Sequence, residues 1–197
     1  MSLEINITDN FDEIVQAFDK IEKRLVGQAA RYAINRTLLT LRGEALKEIT
    51  KQFKIKEKTL RQKHISITKA RGGDLSTVNG MISFSGQPIP LIEFVRGNKT
   101  PQSQKGIPIK RRRKIRVEIT PGKRFEVKRA FIQTVHSTQL FKRAKSGGFK
   151  KQGIRSIAYL IRERGLGQKL VAVGKERFRE LFLRDLEARM KGLVPKA

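Results

Sequence analysis

The side chains in this chain that could do chemistry are mostly cations. Three runs stand out: Lys54, Lys56, Lys58, Arg61 and Lys63; Lys110, Arg111, Arg112, Arg113 and Lys114; and Lys142, Arg143, Lys145, Lys150 and Lys151. Lys and Arg donate hydrogen bonds and neutralise oxyanions, so such runs suit phosphate backbones or acidic protein surfaces. One charge run on its own is as often a plain solvated face. Three runs with almost no compensating acid argue for a negatively charged counterpart, and all of these residues are candidate DNA or partner contacts.

Groups able to turn a substrate over are sparse. The chain has two histidines, His64 and His136, and its aspartates are scattered at 9, 12, 19, 74 and 185. Each histidine reads as an ordinary surface or hydrogen-bonded residue, and neither has metal-ligand spacing. Glu93, Glu118 and Glu126 fall on predicted strands and are the one set that could hold a divalent ion against phosphate, as a nuclease does. No DxD, ExK or HxH pattern accompanies them, so charge pairing with nearby Lys and Arg is expected instead. The segment 165–169 (GLGQK) lacks the full spacing of a phosphate loop and reads as a turn. Ser83 to Ser85 has no histidine or acid at a useful spacing and reads as an exposed strand edge. With no Trp, and with the eleven Phe mostly at core-periodic positions, base-stacking surfaces are not expected, and any DNA contact should be to the backbone. The expectation is a non-enzyme with no catalytic residues, no cofactor and no metal.

Composition sets the frame for these groups. Against 44 Lys and Arg stand 18 Asp and Glu, a formal net charge of +26 over 197 residues. Such a chain repels itself unless a polyanion or acidic partner is near. The 38% hydrophobic fraction supports one sizeable core. With no cysteine, neither a disulfide nor a thiolate metal site can form. Met1 to Asn10 has no basic stretch leading into an apolar run, so no secretory signal is expected, and no stretch approaches the length of a membrane span.

The elements that must position the cations follow from periodicity. Phe11, Ile14, Val15, Phe18, Ile21 and Leu25 mark one helix, capped by Asn10 and interrupted at Gly27. Ala30, Ala33, Ile34, Thr37, Leu38, Leu41, Ala45, Ile49 and Phe53 mark a second, with small residues at 29, 30, 33 and 45 for close approach. The segment 54–64 reads as a short basic helix. Strands follow at Ile65 and Ile67, at Val78 and Met81 to Phe84, and from Ile89 to Val95, with a turn at Arg71 to Gly73 between the first two. A polar loop, 97–106, leads into the arginine-rich run. Ile115, Val117 and Ile119 form a half-buried strand ending at Pro121 and Gly122, Phe125 and Val127 begin its hairpin partner, and Phe131 and Val135 continue the alternation. The segment 142–152 reads as a second basic loop. Ile157, Leu160 and Ile161 precede a C-terminal amphipathic helix from about Val171 to Met190.

The order of elements predicts an α+β fold: N-terminal helices packed on an antiparallel β-sheet, with a C-terminal helix and basic loops. We expect a single domain over 1–197, with a helical part at 10–64, a β-rich part at 65–145 carrying the basic loop 97–114, and a C-terminal part at 154–192.

The run from Gln28 to Ala70, with its A-I-N-R element at Ala33 to Arg36 and the basic segment after it, resembles the phage minor tail protein Z family. Ala130, Phe131 and Ile132 (AFI) match the G-A-F-I strand of that family and of related head-tail joining and tail-completion proteins. The resemblance spans roughly residues 10 to 190. It implies a structural tail protein that acts in tail assembly or completion near the head-proximal end. It further implies a homo-oligomeric ring contacting tail or connector proteins, with possible DNA backbone contact and no membrane. The place implied is the virion tail, assembled in the bacterial host cytoplasm. No catalytic residues come with the family. The alternative is a basic nucleic-acid-binding protein of ribosomal or nucleoid type.

Overall fold

The computed structural model describes residues 3–6, 23–72, 78–97, 99–101, 114–128, 130–134, 136–143 and 148–191. In chain order the elements are β1 (Leu3–Asn6), α1 (Lys23–Gln52), α2 (Glu57–Lys63), β2 (Ile65–Thr68), β3 (Met81–Phe84) and β4 (Pro88–Pro90). A 3-10 turn (Leu91–Phe94) follows, then β5 (Arg116–Thr120), β6 (Lys123–Glu126), β7 (Ala130–Thr134), β8 (Thr138–Arg143), β9 (Phe149–Lys151), β10 (Gly153–Ser156), α3 (Ile157–Glu163) and α4 (Leu166–Lys191). The fold is α+β, as the order of elements predicts.

The spacing that builds α1 also decides what it buries. Ala30, Ala33, Ile34, Leu38, Leu41, Ala45 and Ile49 are all buried, whereas Arg31, Arg36 and Lys47 are exposed. Gly27 does not interrupt this helix; it lies inside it and is buried. A helical glycine costs about 1 kcal/mol relative to alanine, which the tertiary packing of a 30-residue helix outweighs. The proposed first helix lies largely outside the described residues, since only its last positions overlap α1.

The most extensive contact between elements is α1 against α4. Lys169 near the start of α4 donates to Glu48 near the end of α1 at 2.7 Å, and Arg189 near the end of α4 donates to Gln28 near the start of α1 at 2.9 Å. The two long helices therefore run antiparallel. At Gly174 they approach closely, because a Cβ there would sit 3.3 Å from a Leu41 methyl. Phe178 and Phe182 stack one turn apart at 5.7 Å and are fully buried, each contributing about 2 kcal/mol of apolar burial. The helix begins at Leu166, earlier than its amphipathic pattern alone suggests. Gly165, at φ 65°, closes the end of α3. Gly167 belongs to α4, so the expected turn is confined to Gly165.

Among the described residues the strands form four small antiparallel sheets, in the orders β1-β3-β2, β10-β4, β5-β6 and β7-β8-β9. In the first, Ile82 of β3 lies between Ile5 and Ile67. Ser83 is therefore on the central strand, paired with Glu4 and Ser66, and not on an exposed edge. The segment from Ile89 to Val95 is not one strand. Pro88 and Pro90 lack the N–H a longer ladder needs, and the chain turns 3-10 at once, burying Leu91, Ile92 and Phe94. Val95 then bridges to Val117. β6 does not continue into β7; the two belong to different sheets. The arms of the expected basic loop 142–152 are themselves strands, β8 pairing with β9.

Candidate polyanion interface

The first basic run is split by the fold. Lys54 and Lys56 precede α2, Lys56 in extended backbone; the Lys54 N–H donates to the Ile119 carbonyl at 2.7 Å, and Lys58, Arg61 and Lys63 lie on α2 itself. All five are exposed, because α2 buries only Leu60. The helix ends at His64, whose N–H donates to Leu60 and whose carbonyl accepts from Ser85. That pair of bonds ties the cationic helix to the end of β3.

A cleft of about 610 Å³ opens here, lined on one side by Leu39 and Arg42 of α1 and on the other by Arg61 to Ser66 and Ser83 to Ser85, with Lys69 at its edge. Among the described residues Arg42 and Lys69 have no carboxylate partner, and Arg61 reaches Glu57 only at 3.5 Å. The cleft is therefore a basic one. Beside it, Glu93 of the 3-10 turn accepts from Lys63 at 3.2 Å and from Thr59 at 3.5 Å, while Lys99 donates to the Glu93 carbonyl at 3.3 Å. Burial pushes the Lys99 ammonium down, against the pull of Glu93, with Lys56 and Lys63 adding to the downward shift. Lys99 had no signal in the sequence beyond a place in a polar loop; the turn at Leu91–Phe94 brings it to the basic face.

His64 departs from its expected surface or hydrogen-bonded state. It is 5% exposed, and neither ring nitrogen has a hydrogen-bond partner among the described residues. Burial pushes its pKa down, opposed by Glu93 and reinforced by Lys63. Burial thus favours the neutral ring. His136 is exposed.

The three glutamates that could have formed a metal site are each taken up by cations. Glu93 is held as above. Glu118 is 3% exposed and accepts from Arg96 at 2.8 Å, from Arg124 at 3.2 Å and from the Gly122 N–H at 3.2 Å. Burial pushes the Glu118 carboxyl up, but the Gly122 and arginine hydrogen bonds outweigh it and hold the group below the usual range. Strand alternation puts Glu118 opposite Val117 and so toward water. The two arginines close over it instead, and Gly122 at φ 80° turns its N–H inward. Glu126 lies 4.0 Å from Lys114. Among the described residues no cluster of three or more His, Asp or Glu could hold a metal.

Of the second run only Lys114 is described, and it is exposed; Lys110, Arg111, Arg112 and Arg113 lie outside the described residues, as does Lys145 of the third. The rest of the third run sits on adjacent strands. Lys142 stands directly opposite Lys150, Arg143 opposite Phe149, and Phe141 opposite Lys151. Like charges facing across a ladder are destabilising, and none of these four cations has a carboxylate partner among the described residues. The structure brings the first and third runs to one shared support. Lys63 binds Glu93 of the 3-10 turn, and β8 packs on that same turn.

Comparison of the chain with family models, with curated proteins and with solved structures returns no match. Among the described residues no helix is long and apolar enough to cross a membrane.

Proposed function

We propose that this chain is a non-enzymatic structural protein that docks on polyanionic surfaces, in the role of a phage minor tail protein of the Z type. In that role it would serve tail assembly or completion near the head-proximal end of the virion. The observation that carries the docking part is the fate of the carboxylates. Glu93, Glu118 and Glu126 are occupied by neighbouring cations, yet Arg42, Lys69, Lys142 and Lys150 are left unpaired among the described residues. Unpaired cations held in fixed positions repel one another until phosphate or acidic side chains arrive. The tail assignment rests on the A-I-N-R and A-F-I resemblance. Within that A-I-N-R element, Asn35 fastens α1 to the backbone at Ala70. Identical subunits in a ring would set their basic faces on a common rim, where packaged DNA or acidic tail and connector proteins offset the repulsion.

Two measurements test this reading. Duplex DNA affinity of the purified protein should fall on the order of a thousand-fold from low to moderate salt, as expected when several phosphates are neutralised; a flat response defeats the docking claim. Removing the coding sequence from its phage should leave particles with incomplete or unjoined tails. Fully infectious particles lacking the protein would defeat the tail assignment.

A further inference from the structure

The β7-β8-β9 sheet has two unlike faces. One carries Leu140 and Ile132, which are buried in the core. Alternation places Phe131, Phe141, Arg143, Phe149 and Lys151 on the other. The three phenylalanines make a cluster of their own: Phe131 stacks on Phe141 at 5.9 Å with planes 22° apart, and meets Phe149 edge-on at 5.1 Å. None of the three is part of the buried core or of the half-buried shell packed on it. Phe149 is 57% exposed, the most exposed large apolar side chain among the described residues. The Arg143 guanidinium lies 5.7 Å from its ring centre.

Phe131 and Phe141 are half-buried and Phe149 is exposed; the exposed aromatic surface needs a covering group, and the charge around it selects which. From Val127 to Arg162 the sequence contains no Asp or Glu. Arg143 and Lys151 share the face with the rings, and Lys142 and Lys150 stand just behind them on the other face. An apolar protein partner would leave those cations unmatched. A duplex would satisfy the cations and leave the rings bare, because its bases are stacked inside. A single strand satisfies both, with bases on the rings and phosphates on the cations.

We propose that the outward face of β7-β8-β9 is a stacking platform for the bases of single-stranded nucleic acid, formed by Phe131, Phe141 and Phe149 and flanked by Arg143 and Lys151. The site is separate from the basic cleft beside α2 and does not depend on the tail assignment. Recognition is sequence-tolerant, since every base offers a π-face. The occupied length is short, because three rings on three short strands accommodate only a few nucleotides.

The chain has no Trp, so Phe149→Trp installs a single indole reporter at the exposed edge of the platform. Addition of oligothymidine should quench its emission, whereas inorganic polyphosphate, which has charge but no bases, should not. Phe149→Leu keeps apolar bulk and removes the π-face at an exposed position, where folding is little affected. It should weaken oligothymidine binding about ten-fold or more and leave duplex affinity unchanged. Equal oligothymidine affinity for Phe149→Leu and the parent chain, or equal quenching by polyphosphate, overturns the platform. So does self-association of the parent chain that Phe149→Leu abolishes while oligothymidine affinity stays the same. Failure of the parent chain to bind duplex would count against the docking function alone, so the two readings fail separately.

Discussion

The side-chain amide of Asn35 clamps the backbone of Ala70 from both sides, accepting from its N–H at 2.8 Å and donating to its carbonyl at 3.2 Å. The residues are 35 apart in sequence, and the clamp fixes the strand exit after β2 against the middle of α1. Asparagine alone among side chains of this length carries a donor and an acceptor in one plane. Asn35→Ala strands both groups of a part-buried peptide, and we expect a loss on the order of 2 kcal/mol. Asn35→Asp keeps only the acceptor and should lose about half as much. Urea denaturation with unchanged slope reads both, and midpoints within error of the parent would show that the clamp does not stabilise the fold.

Two glycines should respond to the same substitution with opposite signs. A Cβ on Gly80 would sit 2.5 Å from an Ile34 methyl and 2.9 Å from one of Leu38, whereas a Cβ on Gly43 meets nothing within 4 Å. Gly80→Ala should destabilise by about 1–3 kcal/mol through overpacking. Gly43→Ala, on the open side of α1, should stabilise by up to about 1 kcal/mol through helix propensity. Thermal midpoints moving in the same direction for both would contradict this packing.

Protonating His64 should cost stability. Its folded pKa lies below the ordinary 6.5, so at mildly acidic pH the unfolded chain binds a proton that the folded chain does not. Stability then rises with pH across that window. It is complete above about pH 6.5 and is lost as pH falls toward the depressed folded value. Glu93 and Lys63 are the charged groups that bear on the ring. His64→Leu removes two unpartnered nitrogens and the titration together. It should be at least as stable at pH 7 and should flatten the decline below about pH 6.5 in chemical denaturation. A decline as steep as the parent's would exonerate His64.

Glu118 acts in a lower window. Its carboxyl is held below the usual range by Gly122, Arg96 and Arg124 against the upward push of burial. The stability it supplies is present above the unfolded value and disappears as pH falls from about 4.5 through the folded one. Glu118→Gln should remove that acid dependence and lower stability at neutral pH. If the parent and variant show parallel acid limbs, the arginine cradle is not what sets them.

Lys142 should show function set against stability. It faces Lys150 directly across the β8-β9 ladder. Lys142→Glu turns repulsion into attraction and should stabilise the hairpin by about 0.2–1 kcal/mol, while weakening duplex DNA binding and reducing the salt slope by roughly one. A variant that is stabler and binds DNA equally well would remove this hairpin from the interface.

What the sequence by itself determined was what period-based reasoning captures. The apolar spacing from Ala30 to Ile49, the Phe178 to Leu186 stripe and the Pro121–Gly122 turn are all local, and each survives in α1, α4 and the β5–β6 hairpin. The excess of cations was equally plain, because charge is additive and needs no fold. Tertiary structure decided which polar groups lose water. Glu118 and His64 sit at positions whose neighbours in sequence give no warning, and they are buried because Arg96, Arg124 and the end of β3 close over them from elsewhere in the chain. Tertiary structure also decided which aromatics stay out of the buried core. Phe131, Phe141 and Phe149 alternate like core residues, but alternation names two faces without saying which one the rest of the protein will cover. Here Leu140 and Ile132 took the core side, and the rings were left outside.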